Sequence, residues 1–350
     1  RMNTYIETRP LYLIKNETEM IHWSERDGWA HFYRYDINGN LLNRITSGPF
    51  HSDNIKYYDQ KSNFLFFSAH GVNKEIDPYY EHTYKISLNG GVPKLLNKGD
   101  FNTMTYPSDN HKFFVNNFSR VNTTPKSNLI NSDGSVIMNL ETADLSALFE
   151  SGYKFPETFK AKADDGITDL YGVIYKPFDF DENKKYPLLE YVYPGPQTES
   201  VNKSFSVRMD RLDRMAQLGF IVITLGNRGG HPDRSKWYHN YGYGNLRDYG
   251  LADKKYVAQQ LANRHDFIDI NRVGIYGHSG GGFMSTAAIL VYPDFFKVAY
   301  SQAGNHDNSI YNSWWSETHH GILEETDDDG NIKYIYDIDK NQSLAKNLKG

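Results

Sequence analysis

The pattern of apolar and polar positions changes character near residue 150. Before that point, short runs rich in aromatic and β-branched residues are separated by turn-forming pairs, which is typical of half-buried strands. Three of these runs, Met20–Ser24, Phe64–Ser68 and Lys112–Asn116, begin 44 and 48 residues apart. A repeat of this length is typical of the blades of a β-propeller.

Each repeat also carries a second strand-like run that leads into a tight turn. The turns are Asn38-Gly39, Asn89-Gly90 and Asp133-Gly134, and such pairs tolerate the positive φ angles of hairpins. About three blades can be counted in this way, fewer than the four to eight that close a ring. We therefore predict a partial β-propeller over residues 1–150, with a different all-β domain as the alternative.

After residue 150, apolar runs of strand length alternate with segments that can form helices. This alternation predicts a mostly parallel sheet with helices on both faces, over residues 151–350. The predicted strands are Gly172–Lys176, Leu188–Tyr193, Phe220–Leu225, Arg272–Tyr276 and Val298–Ser301, and the predicted helices are Asp210–Leu218, Leu251–Arg264 and Gly281–Val291.

Composition excludes several classes of function. The chain has 350 residues, a formal net charge of −5 and no cysteine. The mild, evenly spread charge argues against a nucleic-acid partner, and no apolar run approaches membrane-spanning length. Without cysteine there is no disulfide, no thiolate metal site and no cysteine nucleophile. We expect no cofactor.

The most informative stretch is Asn271–Leu290, NRVGIYGHSGGGFMSTAAIL. An apolar β-rich run enters Gly277-His278-Ser279-Gly280-Gly281, and a small-residue run that suits a helix follows, as in a G-x-S-x-G nucleophile elbow. The motif predicts Ser279 as a nucleophile and the Gly280 N–H as a donor to a developing oxyanion. A glycine-rich turn with an incidental serine is the alternative.

Three segments together carry a family resemblance. Tyr186–Pro196 (YPLLEYVYPGP), Asn227-Arg228-Gly229 and the Ser279 motif stand in the order and at about the spacing seen in the prolyl oligopeptidase family of serine peptidases. The segment Trp23–Trp29 (WSERDGW) resembles a propeller segment of the dipeptidyl peptidase IV branch. This resemblance implies an α/β-hydrolase catalytic domain preceded by a β-propeller.

The resemblance also implies roles for single residues. Tyr193 matches the family tyrosine whose hydroxyl is the second oxyanion donor, although an aromatic residue ending a buried strand would look the same. Tyr311 and Trp315 fall on aromatic residues of the substrate pocket, where a proline ring packs well; core packing is the alternative for both.

The chain departs from the family pattern at four positions. Gly280 replaces the tyrosine that usually follows the nucleophile, and Gly226 replaces the Asp that usually precedes Arg228-Gly229. Asn305 and Asn308 stand where dipeptidyl peptidases tend to have apolar or aromatic residues. These departures predict a more open and more polar pocket.

The rest of the catalytic triad is expected beyond Gly350. In α/β-hydrolases the acid and then the histidine follow the serine, and in the resembled family the acid follows the next core strand. His306, His319 and His320 also follow Ser279, and Asp307 precedes two of them, so a triad within the chain is the alternative. An acid only about a dozen residues before the histidine, however, leaves no room for the strand and helix that normally separate them. The chain by itself is therefore expected to show little or no turnover.

Three charged segments are interpreted as structural. We expect Ser24–Gly28 to be a loop with a local ion pair, and the pair His319-His320 to lie in a surface loop rather than bind a metal. The run Asp327–Asn331 is interpreted as a solvated turn rather than a calcium loop.

The resemblance predicts a serine peptidase that releases short peptides, of dipeptide length, from peptide N-termini, with a preference for Pro or Ala before the scissile bond. It also implies a periplasmic or secreted location and leaves homodimer formation open. A non-catalytic peptide-binding scaffold and an esterase of the same fold are the rival hypotheses, because the elbow serves esters and amides alike.

Overall fold

The computed structural model describes residues 9–194, 197–206, 211–335 and 338–349. The described residues form two units. One contains the residues up to Ser151 together with Asn202–Ser206 and Pro232–Tyr238, and the other contains the remainder. Among the described helices, none has the length and apolar character needed to cross a membrane.

Three four-stranded antiparallel sheets make up most of the first unit, each with its strands in chain order. The predicted hairpin glycines Gly39, Gly90 and Gly134 have φ angles of 87°, 92° and 85° and join the third strand to the fourth in each sheet. The strands are β1 Tyr12–Ile14, β2 Glu19–Ser24, β3 His31–Asp36, β4 Leu41–Arg44, β5 His51–Asp59, β6 Phe64–His70, β7 Glu81–Ser87, β8 Lys94–Leu95, β9 Asn102–Pro107, β10 Phe113–Ser119, β11 Lys126–Asn131 and β12 Val136–Thr142.

A pair of buried histidines shows that the first two sheets are true repeats. His31 Nε2 lies 3.0 Å from the carbonyl oxygen of Gly48, and His82 Nε2 lies 3.0 Å from that of Gly99. His82 follows His31 by 51 residues, and Gly99 follows Gly48 by the same number. The same side chain therefore fixes the same loop in successive blades.

The segment Ser24–Gly28 forms a turn after β2, as expected, but its ion pair is not local. Asp27 Oδ2 lies 2.6 Å from Arg44 Nη1, at the end of strand β4. Glu25 is fully buried, at 0 % exposure. The expectation of a local pair was wrong because strand pairing brings β4 beside this turn.

A six-stranded mixed sheet with the order β13-β14-β16-β15-β17-β18 forms the centre of the second unit. The four strands from β16 to β18 in that order are parallel, so the predicted mostly parallel sheet is confirmed. Its strands are β13 Glu157–Lys162, β14 Asp169–Tyr175, β15 Tyr186–Tyr191, β16 Ile221–Leu225, β17 Ile268–His278 and β18 Phe296–Gln302.

Helices flank these strands in sequence, and a hairpin follows them. The helices are α1 Ser146–Glu150, α2 Arg211–Ala216, α3 Lys236–His239, α4 Leu251–Arg264, α5 Gly280–Val291 and α6 Ser313–His320, with short 3-10 helices at Asn240–Gly242 and Asn341–Asn347. Strands β19 Leu323–Thr326 and β20 Ile332–Ile335 form the hairpin. Helix α4 has the predicted bounds, whereas the predicted residue Asp210 lies outside the described residues.

Candidate active site

The predicted elbow is a sharp turn between β17 and α5. Ser279 has φ 55° and ψ −120°, a backbone conformation that residues other than glycine rarely adopt. Its N–H donates to the carbonyl of Gln302 at 2.8 Å, and its own carbonyl accepts from the N–H of Phe283 at 3.0 Å. Strain of this kind persists only where neighbouring contacts impose it, and it is common at active sites.

The glycines of the motif allow two other chain segments to touch the turn. A Cβ on Gly277 would lie 2.3 Å from the Val192 carbonyl oxygen, and one on Gly281 would lie 2.0 Å from it. A Cβ on Gly282 would lie 2.7 Å from the carbonyl oxygen of Gln302. Side chains at these three positions would therefore push away the backbone of Val192, just after β15, or of Gln302 in β18.

Tyr193 lies directly after this contact. Strand β15 ends at Tyr191, so the predicted strand is two residues too long and Tyr193 belongs to the loop that follows. The position of a Cβ on Gly281 is only 3.3 Å from the Cα of Tyr193. The structure thus brings the Tyr193 backbone against the first turn of α5, where the Gly280 amide also lies. Gly195 and Pro196 of the same motif lie outside the described residues.

A buried glutamate explains the glycine at position 226. Glu199 is 6 % exposed, and a Cβ on Gly226 would lie 2.1 Å from its Oε2. The next loop residues are held by Arg228, whose backbone N–H and guanidinium donate to the buried Asp253 carboxylate at 2.9 and 2.8 Å. Sequence patterns did not single out Glu199, because only the folded chain brings it beside this loop.

The segment after β18 leads from the elbow to the predicted pocket residues. Asn308 is 1 % exposed and its Oδ1 accepts a hydrogen bond from Asn305, so this amide is buried rather than open to a pocket. Tyr311 is 52 % exposed just before α6. Trp315, in the first turn of that helix, packs its ring 4.1 Å from the ring of His319.

His306 is fixed through both ring nitrogens. The Asn341 amide lies 3.0 Å from Nδ1 and also bonds the Phe283 carbonyl, so it donates and Nδ1 accepts. Nε2 then carries the proton and faces Ser301 Oγ at 3.4 Å. Burial lowers the pKa of His306, which favours this neutral form. The ring is therefore engaged by Ser301 and Asn341.

The two candidate metal segments differ from each other. His319 and His320 are 2 % and 6 % exposed at the end of α6, so the expected surface loop was wrong: helix packing buries both rings. Burial lowers the pKa of His320 to about 4. In Asp327–Asn331, by contrast, Asp327 Oδ1 accepts backbone N–H groups of its own turn, including that of Asn331 at 2.8 Å.

One face of the central sheet is open and apolar. A cavity of about 600 Å³ lies over β15, β17 and β18. Val298 and Tyr300, on the edge strand β18, are 56 % and 62 % exposed. Apolar surface of this extent beside an edge strand is typical of a surface that another element covers.

A buried acidic side chain on β15 and a buried basic side chain on α4 belong to the same unit. Glu190 on β15 is 0 % exposed, and neither of its oxygens has a hydrogen-bond partner within the described chain. Burial raises the pKa of Glu190 to about 7, against the opposing effect of Lys254. Lys254, buried in α4, donates to the Leu225 carbonyl, and burial lowers its pKa.

Comparison with known proteins gives matches in both halves of the chain. Residues 205–348 match the model of the prolyl oligopeptidase family, and residues 2–125 match that of the dipeptidyl peptidase IV N-terminal region. Human dipeptidyl peptidase 8 is 36 % identical over 176 residues, covering 50 % of this chain and 19 % of that protein. Dipeptidyl peptidase 4 of Trichophyton equinum is 24 % identical over 349 residues, covering 93 % of this chain and 42 % of that protein.

Solved structures extend these matches over almost the whole chain. A putative dipeptidyl aminopeptidase IV from Bacteroides ovatus has a TM-score of 0.82 and 25 % identity, covering 98 % of this chain and 50 % of its own. Porphyromonas gingivalis dipeptidyl peptidase 4 has a TM-score of 0.80 and 25 % identity, with 97 % and 46 % covered. The chain thus spans half or less of these relatives. The predicted fold class, an α/β-hydrolase domain preceded by part of a β-propeller, is confirmed.

Proposed function

The chain belongs to the prolyl oligopeptidase family of serine peptidases, in its dipeptidyl peptidase IV-like branch, and we propose that it provides the nucleophile of a peptidase releasing dipeptides from peptide N-termini. The observation that carries the proposal is the conformation of Ser279. Its φ of 55° between a parallel strand and a helix is the geometry that a nucleophile elbow requires.

In the proposed reaction Ser279 Oγ attacks the carbonyl carbon before the scissile bond. The oxygen that becomes negative accepts hydrogen bonds from the Gly280 N–H and the Tyr193 hydroxyl, while the positive end of the α5 dipole adds to the stabilisation. The amine leaves, a Ser279 ester remains, and water hydrolyses it. Support for the Tyr193 role comes from the close approach of its backbone to Gly281.

The acid and the base of the triad are proposed to follow residue 350 in a longer form of the protein. Two observations favour this. His306 already engages Ser301 and Asn341 through its ring nitrogens, and the open apolar face at β18 is where a further strand and helix would pack. Without a base the Ser279 hydroxyl is a poor nucleophile, so residues 1–350 alone should turn over little substrate.

The substrate preference is the least constrained part of the proposal. Tyr311 and Trp315 are proposed to line the pocket for a Pro or Ala residue before the scissile bond, and the aromatic faces suit a proline ring. Gly280 leaves one wall of that pocket open, which favours tolerance of other side chains. We also propose a periplasmic or secreted location, to be tested by cell fractionation, and a homodimer, to be tested by light scattering.

Labelling and hydrolysis test the proposal together. A fluorophosphonate should label Ser279 in the longer form, and the Ser279→Ala variant should lose both the label and the hydrolysis of Ala-Pro and Gly-Pro amides. Ser301→Ala, a matched change at another serine of the site, should keep the label. An unlabelled Ser279 in the longer form would favour a binding scaffold, and faster ester than amide turnover would favour an esterase.

The position of the base is tested by comparing chain lengths. We expect residues 1–350 to hydrolyse these amides far more slowly than the longer form. Equal and substantial rates would show that the base is already present within the 350 residues.

A further inference from the structure

A cluster of histidine and carboxylate side chains lies in the second sheet of the first unit. Asp53 on β5, His70 on β6 and Glu81 on β7 each place one ligand atom within 4.8 Å of the others. The sheet register explains the cluster, because His70 is paired directly with Glu81 on one side and with His51 on the other. Asp53 lies in a β-bulge of β5, two residues after His51, and the irregular backbone there brings its carboxylate to the same cluster.

Two more side chains approach the same point. Asp233, from the segment Pro232–Tyr238 of this unit, has its carboxylate oxygens 3.6 Å from His70 Nε2 and 3.8 Å from His51 Nε2. His51 Nε2 is also 4.0 Å from Asp53 Oδ1. These separations exceed hydrogen-bonding distance. They are close to the roughly 3.4 Å that separates ligands bound at about 2.1 Å around a tetrahedral ion.

The orientation of His70 fits a metal ligand. Its Nδ1 lies 3.1 Å from the carbonyl oxygen of Tyr79, so the Nδ1–H donates there and Nε2 faces the carboxylates. A ligating histidine usually gives its other N–H to such a partner, which fixes the tautomer and the ring. His51 is fully buried on β5 and is paired directly with His70 across the sheet.

Basic side chains hold two of the carboxylates from outside. Lys56 donates to Glu81 at 3.1 Å, and Arg9 donates to Asp53 at 2.8 Å. These contacts hold the two carboxylates beside His70.

We propose that Asp53, His70 and Glu81 bind a divalent transition-metal ion, with Asp233 and His51 as the adjoining ligands. A mixed set of imidazole and carboxylate ligands suits Zn²⁺, Mn²⁺ or Fe²⁺ better than Ca²⁺ or Mg²⁺. The ion would tie the segment Pro232–Tyr238 to strands β5 to β7. Sequence patterns did not predict the site, because Asp233 is more than 150 residues away from the other ligands.

The rival occupant is a proton on His70. A proton and a metal ion compete for Nε2 of His70, the ring nitrogen that faces the carboxylates, so metal affinity should fall as the pH is lowered.

The experiment uses the full chain after dialysis against a chelator. Zn²⁺ or Mn²⁺ is added back, bound metal is measured by mass spectrometry and the Tm by scanning calorimetry at pH 7.5. We expect one ion per chain and a rise in Tm. Glu81→Gln and Asp233→Asn should each weaken binding at least tenfold. His82→Gln, a change at a buried histidine of β7 outside the cluster, should retain the ion.

Cobalt provides a readout that does not depend on a variant folding. Co²⁺ added to the chelated wild-type chain should give the visible absorption bands of a mixed nitrogen and oxygen site. The proposal is overturned if the wild-type chain binds no stoichiometric ion and its Tm responds to pH but not to metal, since His70 would then carry only a proton.

Discussion

A single methyl group in the elbow tests how the site is assembled. Gly281→Ala places a Cβ 2.0 Å from the Val192 carbonyl oxygen, a backbone atom that cannot rotate away. Gly280→Ala, one residue earlier, places its Cβ 3.2 Å from the carbonyl oxygen of Pro194. Both variants add one methyl group to the first turn of α5. They therefore differ mainly in the distance from that methyl group to the neighbouring backbone carbonyl.

The expected magnitude follows from these distances. Alanine in place of glycine gains up to about 1 kcal/mol of helix propensity in either variant. At Gly281 the Val192 backbone must move by about 1 Å, and overpacking of this kind costs about 3 kcal/mol, the upper end of the usual range. At Gly280 a few tenths of an ångström suffice. In a domain of this size a gap of about 3 kcal/mol corresponds to about 6–12 °C in Tm.

Calorimetry and labelling measure the two consequences. Gly281→Ala should have the lower Tm, and in the longer form its fluorophosphonate labelling should slow about a hundredfold. Val192 is followed directly by Tyr193, and a displacement of 1 Å can cost that much in rate. Gly280→Ala should keep both properties near those of the wild type. Equal Tm and equal labelling of the two variants would refute the packing argument.

Four further predictions test other parts of the structure. Lys254→Met should lower the Tm of the protein more at pH 8 than at pH 5. The pKa of Glu190 is raised to about 7, so this buried acid is neutral at pH 5 and becomes an unpaired buried charge at pH 8. Adding Glu190→Leu to the same chain should restore the Tm. Burial lowers the pKa of His31 to about 4. The neutral ring therefore contributes up to roughly 3 kcal/mol to the free energy of unfolding above pH 6.5, and this contribution is lost as the pH falls through 4. His31→Gln should make the Tm depend less on pH in the acid range. Gly28→Ala should lower the free energy of unfolding more than Gly39→Ala. Both glycines have positive φ, +85° and +87°, but a Cβ on Gly28 would lie 1.8 Å from the Trp237 ring, whereas one on Gly39 would meet nothing. An equal loss of about 1–2 kcal/mol in both variants would show that the ring moves aside freely. His306→Gln in the longer form should leave Ser279 labelling within a fewfold of the wild type, whereas complete loss would identify His306 as the base.

Local patterns predicted much of the fold. Helix α4 was predicted with its observed bounds, and Gly39, Gly90 and Gly134 mark the hairpins, because periodicity and positive φ are properties of neighbouring residues. The pair His319-His320 was misassigned, since nothing in two adjacent histidines distinguishes a packed helix end from an exposed loop.

Contacts between distant segments could not be predicted. The ion pair of Asp27 depends on the position of β4, and the cluster around His70 depends on Asp233, far along the chain. The motif around Ser279 predicts the turn, yet the backbone atoms that enforce it belong to Val192 and Gln302. A short motif therefore identifies a candidate nucleophile, while its surroundings come only from the fold.

Gly226 shows why a departure from a family pattern needs the structure to interpret it. Read alone, the glycine removes a carboxylate from the loop that precedes Arg228. In the fold, the Glu199 carboxylate lies 2.1 Å from where a Cβ of residue 226 would be, so an acidic group occupies the same space from another segment. A side chain at 226 would require the end of the Glu199 side chain to move. An acidic residue therefore still lies beside this loop, but another segment of the chain provides it.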